Sequence, residues 1–256
     1  MTLRSCLALF AVALLPLTGQ ADLLTYSQDF ENLTPGPSDP AALSNDGWLV
    51  GANVFDPGGN FLYNYFSFPA GNGGGNFTSV ASGDAGPNQG TYYLNAYSDY
   101  NNGDHGNGNY IEGFIFQEQT IGASDLGKDV TFTFDYLKNP DPANDGNPPD
   151  FQDSTTYAFV KVLDSVGGTF ATLGINEFET TNASTTVWSE GQSISLNIDS
   201  AWEGQLVQFG FRNYATNYND TGIFYDNLNF SSVPEPSSAL IFGLGCVGFG
   251  LRRRRK

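Results

Sequence analysis

The chain of 256 residues predicts an all-β domain, an antiparallel sandwich of two sheets, held between two apolar ends. Three observations carry that prediction. Apolar and polar residues alternate with period two in one segment after another, the pattern of a strand with one buried face. The joints between these segments are rich in Gly, Asn, Asp and Pro, the residues of turns. Almost no stretch shows the 3.6-residue period of an amphipathic helix.

Taken in order, the first element is Met1 to Ala21. It has one early cation, Arg4, an apolar run from Cys6 to Leu17, and small residues at Gly19 and Ala21. This is the pattern of a secretory signal helix cleaved after Ala21. Residues 22–232 form the folded domain. Its strongest strand is Val130 to Tyr136, where Phe132, Phe134 and Tyr136 share one face and Thr131, Thr133 and Asp135 the other. Ser193 to Ile198 and Val207 to Arg212 repeat the period, and Tyr157 to Leu163 and Phe224 to Phe230 read as strands too. Six weaker segments complete the set: Leu24 to Phe30, Trp48 to Phe55, Phe61 to Phe68, Thr91 to Tyr97, Ile111 to Ile121 and Phe170 to Phe178. Such a count of short strands in one unit favours two packed sheets.

Residues 233–256 are of another kind. Val233, Pro234, Glu235 and Pro236 lead into an apolar helix, Ser237 to Leu251, followed by Arg252 to Lys256. Fifteen residues rise about 22 Å, short of the ~30 Å hydrocarbon core. The five cations resist translocation and leave the preceding domain outside the cytoplasm. This order of motif, apolar helix and basic end resembles the PEP-CTERM sorting signal of Gram-negative envelope proteins. The resemblance implies a route: Sec export across the inner membrane, then handover to exosortase, with the cell envelope, surface or extracellular space as destination. Contact with the membrane is expected only through this tail.

Charge and chemistry narrow the function. Of the ten basic residues only Lys128, Lys138, Lys161 and Arg212 lie in the domain, and of the 27 acids only Glu235 lies outside it, so the domain carries four cations against 26 carboxylates, formally −22. Nucleic acid is excluded as its partner by repulsion. Cys6 and Cys246 both fall in the apolar ends, so the domain has neither disulfide nor thiolate. His105 stands in the Gly- and Asn-rich segment 101–109, which reads as an exposed loop, and no nucleophile-elbow pattern accompanies it. The acidic, Pro-rich stretch 141–150 lacks the spacing of an EF-hand and reads as a solvated loop.

Several short motifs are similar to those of jelly-roll carbohydrate-binding modules and galactose-binding-like domains. They are Gln28 to Asn32, Asp129 to Tyr136, Trp188-Ser189 ahead of the Ile194 strand, and Phe224 to Leu228. The resemblance implies a jelly roll, a non-catalytic glycan-binding role and a structural calcium held by Glu31 and Asp226. Asp226 also has the strand parity of Phe224, Leu228 and Phe230, which on a regular strand would turn it to the core. A buried carboxylate needs a proton, a hydrogen bond or a hard cation. For the glycan, aromatic rings beside amides and acids are required, and Tyr214, Asn217, Tyr218 and Asp220 supply them in one segment. The excess of negative charge favours neutral sugars unless calcium bridges an acidic one.

These expectations define an exported matrix or surface protein that binds extracellular polysaccharide and is not an enzyme. Two alternatives stand beside it: a glycan-cleaving enzyme using paired acids such as Glu112 with Glu118 or Asp99 with Asp104, and an adhesive structural protein without a small ligand. The sorting tail is expected to be removed in the native host. Mass spectrometry of the exported protein should then lack Arg252 to Lys256, and an intact tail in the extracellular fraction refutes it.

Overall fold

The computed structural model describes residues 22–67, 69, 77–83, 86–99, 102–139, 154–218 and 221–233. The signal segment 1–21, the loop 141–150, Asp220 and the tail from Pro234 onward lie outside the described residues. Among the described residues, twelve strands form two antiparallel six-stranded sheets. In the first sheet, β10 (Ser189–Asn197), β7 (Asp129–Lys138), β12 (Ile223–Val233), β5 (Tyr92–Ala96) and β4 (Thr78–Ser82) follow in that order, and β1 (Tyr26–Gln28) pairs with β12. The second runs β3 (Phe61–Ser67), β2 (Leu49–Phe55), β6 (Tyr110–Thr120), β11 (Leu206–Ala215), β8 (Thr155–Leu163) and β9 (Thr172–Glu179). Helix is confined to α1 (Ala42–Asn45) and two 3₁₀ turns, Gly103–Asn107 and Ala123–Asp125, among the described residues.

All eleven strands expected from alternation are present, and β4 is an addition. Its sequence, Thr78-Ser-Val-Ala-Ser82, offers one large apolar side chain, Val80, and so carries almost no periodic signal. The alternation sets the packing. Phe132 and Phe134 of β7 point inward with Phe209 and Phe211 of β11, and all four are fully buried. Across the two sheets Phe209 stacks on Phe230 at 4.0 Å and 2°, and Phe211 on Tyr225 at 3.5 Å and 14°. Between the two β11 rings, Gly210 leaves room for the neighbouring strand: a Cβ there would stand 2.2 Å from the Ile115 carbonyl oxygen. Tyr225 is anchored further by a hydrogen bond between its hydroxyl and Thr180.

The strand leading out of the N-terminal segment is tied down by carboxylates. Asp46 accepts from Tyr26 Oη, Gln28 Nε2 and Trp48 Nε1, joining β1 to the start of β2. Asp125, fully buried, accepts from the backbone of Leu23 and Gly122.

His105 corrects the sequence reading: it is buried, not a solvated loop residue. Asn102 caps the 3₁₀ turn by accepting from Asp104 N, and Gly108 ends it at φ 73°. Both ring nitrogens of His105 lie 3.1 Å from carbonyl oxygens, those of Asn109 and Asp99. Two β3 hydroxyls hold the loop down, with Tyr65 donating to Asp99 and Tyr63 to Asp104.

The ring stacks join the two sheets of a domain without disulfides. Phe211→Ala is expected to cost roughly 3–5 kcal/mol, the range for truncating a buried aromatic. Urea unfolding measures it, and a loss below about 1 kcal/mol would mean that the inter-sheet stack is not what holds the sandwich.

Candidate functional site

The outward face of the second sheet collects rings and charges in rows that run across the strands. Strand parity places them. On β6 the inward positions are Ile111 and Ile115, so Tyr110, Glu112, Phe114 and Glu118 face out. On β11 the outward positions include Gln208, Arg212 and Tyr214, and on β8 Tyr157, Phe159 and Lys161. The register then aligns Arg212 between Phe114 and Tyr157, and Gln208 between Glu118 and Lys161. Six strands at about 4.8 Å spacing make a face about 24 Å wide.

Three rows result. At one end Phe55 stacks on Tyr110 at 6.0 Å and 23°, and on Tyr214 at 5.9 Å and 29°, with the exposed ring of Phe61 standing edge-on beside it. Burial and the neighbouring Glu112 push the Tyr214 hydroxyl up to about 12, so it stays a donor at neutral pH. In the middle, Arg212 donates to Glu112 at 2.8 Å and Glu177 at 2.9 Å while its guanidinium lies 4.4 Å over the Tyr157 ring. Asn53 donates to the second oxygen of Glu112 at 2.8 Å. The third row carries Lys161, whose ammonium lies 4.9 Å from the Phe159 ring and 5.7 Å from Phe114, with Phe66 packed edge-on against Phe114. Burial lowers the pKa of Lys161 against the opposing pull of nearby glutamates.

The sequence-predicted ligand residues divide over this geometry. Tyr214 is on the sheet face, in the first row. Tyr218 is 53% exposed and meets His105 edge-on at 5.3 Å, over the 3₁₀ turn. Asn217 is half-buried, and Asp220 lies outside the described residues. Glu112, Tyr157, Lys161 and Glu177 were not singled out as ligand residues, although their outward parity was readable. Glu112 and Glu118 share one strand six residues apart, about 20 Å. That exceeds the carboxyl separations of about 5–9.5 Å used in glycoside hydrolysis.

The residues expected to hold a metal, Glu31 and Asp226, lie on the side of the other sheet, within electrostatic range of each other. The strand parity read from the sequence fails at Asp226, because a bulge between Asp226 and Asn229 shifts the register and Asn227 takes φ 51°. Ile223, Tyr225, Leu228 and Phe230 therefore face the main core, while Phe224 packs with Tyr93 and Leu137 on the opposite side. Asp226 shares the side of Phe224, yet it is fully buried there.

It stands directly opposite Asp135 of β7, a like-charge pair across two strands. Asp135 is satisfied by Gly191 N, Gln89 and Asn227. Asp226 has one oxygen bonded to Asn227 N and the other, Oδ2, buried without a hydrogen-bond partner. Glu31 accepts from Thr91 N and Tyr92 N at 2.6 and 2.7 Å, and it acts on Asp226 electrostatically, after Asp135 and Asp29. Beside these groups lies an open hollow of about 270 Å³ lined by Ser27, Gln28, Asp29, Asn227 and Leu228. Among the described residues no three His, Cys, Asp or Glu side chains are already gathered as a metal cage.

Residues 232–255 match the PEP-CTERM protein-sorting motif. The chain thus carries a signal of the class that directs export and processing at the cell envelope. No curated protein matches the chain. Among solved structures it is similar to a cyclase from Fischerella sp. TAU, at 13% identity and TM-score 0.46 over 84% of this chain and 100% of that one. It is also similar to the CBM22-1 xylan-binding domain of Paenibacillus barcinonensis Xyn10C, at 11% identity and TM-score 0.38 over 83% and 94%. A third is Caldicellulosiruptor saccharolyticus CBM27-1 in complex with mannohexaose, at 12% identity and TM-score 0.32 over 59% and 80%.

Burial, with the facing Asp135 carboxylate adding to it, raises Asp226 to about 8. Without a bound cation the folded state keeps this proton up to about pH 8, whereas the unfolded chain loses it near 4. In chelator, stability is therefore expected to decline as pH rises from about 4 to 8, and Asp226→Asn should flatten that slope. Urea midpoints across this range measure it; equal slopes for parent and variant would contradict the assignment.

Proposed function

We propose that this is an exported, exosortase-processed protein of the cell envelope or extracellular matrix that binds polysaccharide without cleaving it, through the outward face of its second sheet. The observation that carries the reading is the row structure of that face. Rings at Tyr110, Tyr214 and Tyr157 offer apolar surfaces for sugar rings, and Asn53, Glu112, Arg212 and Glu177 offer hydrogen-bond partners for hydroxyls beside them. The Arg212 guanidinium locks both glutamates in place, so these partners are preorganised. Such preorganisation lowers the entropic cost of binding. Tyr218 and Asn217, with Asp220, remain candidates for a rim contact. The sorting motif supports export, processing by exosortase and a Gram-negative host.

A structural calcium belongs to the same proposal. Asp226, with Asp135, Asp29 and Glu31 around it, fits a hard cation because its buried Oδ2 has no partner and a like charge faces it. A cation would supply there the positive charge that the protein itself withholds.

A glycan array probed with the exported protein tests the binding reading. Tyr214→Ala is expected to weaken binding by roughly 0.5–1.5 kcal/mol, the aromatic contribution beyond buried area, and more than Tyr218→Ala does. An array without any bound glycan would leave the adhesive structural alternative. Calcium is tested separately by melting temperature, which should rise at millimolar calcium by the linkage RT ln(1 + [L]/Kd). It should fall in chelator and lose its response in Asp226→Ala. Indifference to chelator would exclude the metal.

A further inference from the structure

In a domain with 26 carboxylates and four cations, the Lys161 ammonium stands without a carboxylate in ion-pair contact among the described residues. Lys128 pairs with Asp125, and Arg212 binds Glu112 and Glu177. Lys161 has no ion pair and no hydrogen bond among the described residues; its contacts are the faces of Phe159 and Phe114. Its cross-strand neighbours are uncharged too, Gln208 on β11 and Ile175 on β9. The carboxylates nearest to it are engaged elsewhere: Glu112 and Glu177 by Arg212, Glu118 by Gln208 at 2.6 Å. Lys161 is half-buried, so desolvation already taxes its charge, and aromatic faces supply only part of what a carboxylate would.

We infer that the glycan held on this face carries uronate residues, and that Lys161 receives a uronate carboxylate while the flanking, partly exposed Phe114 ring borders its sugar ring. This deepens the glycan reading of the same sheet face and rests on it. Close to the site, Glu112 and Glu177 are paired with Arg212 and Glu118 with Gln208, and the rest of the domain's charge excess opposes the choice only at long range. At physiological ionic strength the Debye length is about 8 Å, so carboxylates remote from the site are largely screened. A charge-assisted hydrogen bond formed at contact is not. A neutral glycan would leave the ammonium without a counter-charge; a uronate supplies one.

The test compares polygalacturonate with the same polymer after reduction of its carboxyls to primary alcohols, by titration of the exported protein. The parent should bind the polyuronate at least tenfold more tightly than its reduced counterpart. Lys161→Gln should cut that ratio at least tenfold, and Lys161→Arg should restore most of it. Melting temperatures check that the variants are folded, and the parent-only comparison stands if they are not. If the reduced polymer binds as well as or better than the polyuronate, the uronate inference is overturned while the glycan reading stands. If neither polymer nor any neutral glycan binds, both fall.

Discussion

The domain hangs on two ring stacks between its sheets, Phe209 on Phe230 and Phe211 on Tyr225. No disulfide joins the two sheets, so these four rings and the phenylalanines of β7 beside them help fix how the sheets lie on one another. Everything functional is placed from there. The parity that turns Phe209 and Phe211 inward is the parity that turns Gln208, Arg212 and Tyr214 outward. On β12, turning Tyr225 inward leaves Asp226 on the opposite side, facing Asp135. A change in which residues of β11 face the core would erase the outer rows, since a one-residue slip exchanges the faces of a strand.

The same chain treats neighbouring carboxylates in two opposite ways. On the outer face of the second sheet, Glu112 and Glu177 share one guanidinium, and their geometry is set before any ligand arrives. In the first sheet, Asp135 and Asp226 face each other with no basic side chain between them. Asp135 gathers three donors, and Asp226 is left with an unmatched oxygen. One arrangement spends a scarce cation on rigidity; the other leaves a buried oxygen open to a proton, a hydrogen bond or an external cation.

Much of this was legible in the sequence, and what was not has physical causes. Alternation in Val130 to Tyr136 identifies the strand and its inner face at once, because both are local properties. Thr78–Ser82 escapes, since a five-residue strand with one Val has no period to read. Asp226 misled by parity, because the bulge at Asn227 inserts a residue that no alternation reveals. His105 misled by composition: a run of Gly and Asn resembles open loop, while hydroxyls from the distant Tyr63 and Tyr65 hold it against the sheet. The face itself was half visible. Outward positions on β6 and β8 could be counted off, but which of them stand side by side depends on the register each makes with β11, far along the chain.

β12 gives the architecture a mechanical meaning. It is an eleven-residue strand, bonded along its length to β7 and flanked on its other side by β5 and β1. The chain leaves it at Val233, the point from which the sorting tail continues. Tension applied at that end runs parallel to the strand and loads its rungs in shear, many hydrogen bonds resisting together instead of parting one by one. Through Tyr225 and Phe230 the load then passes into the second sheet, whose outer face is the candidate glycan surface.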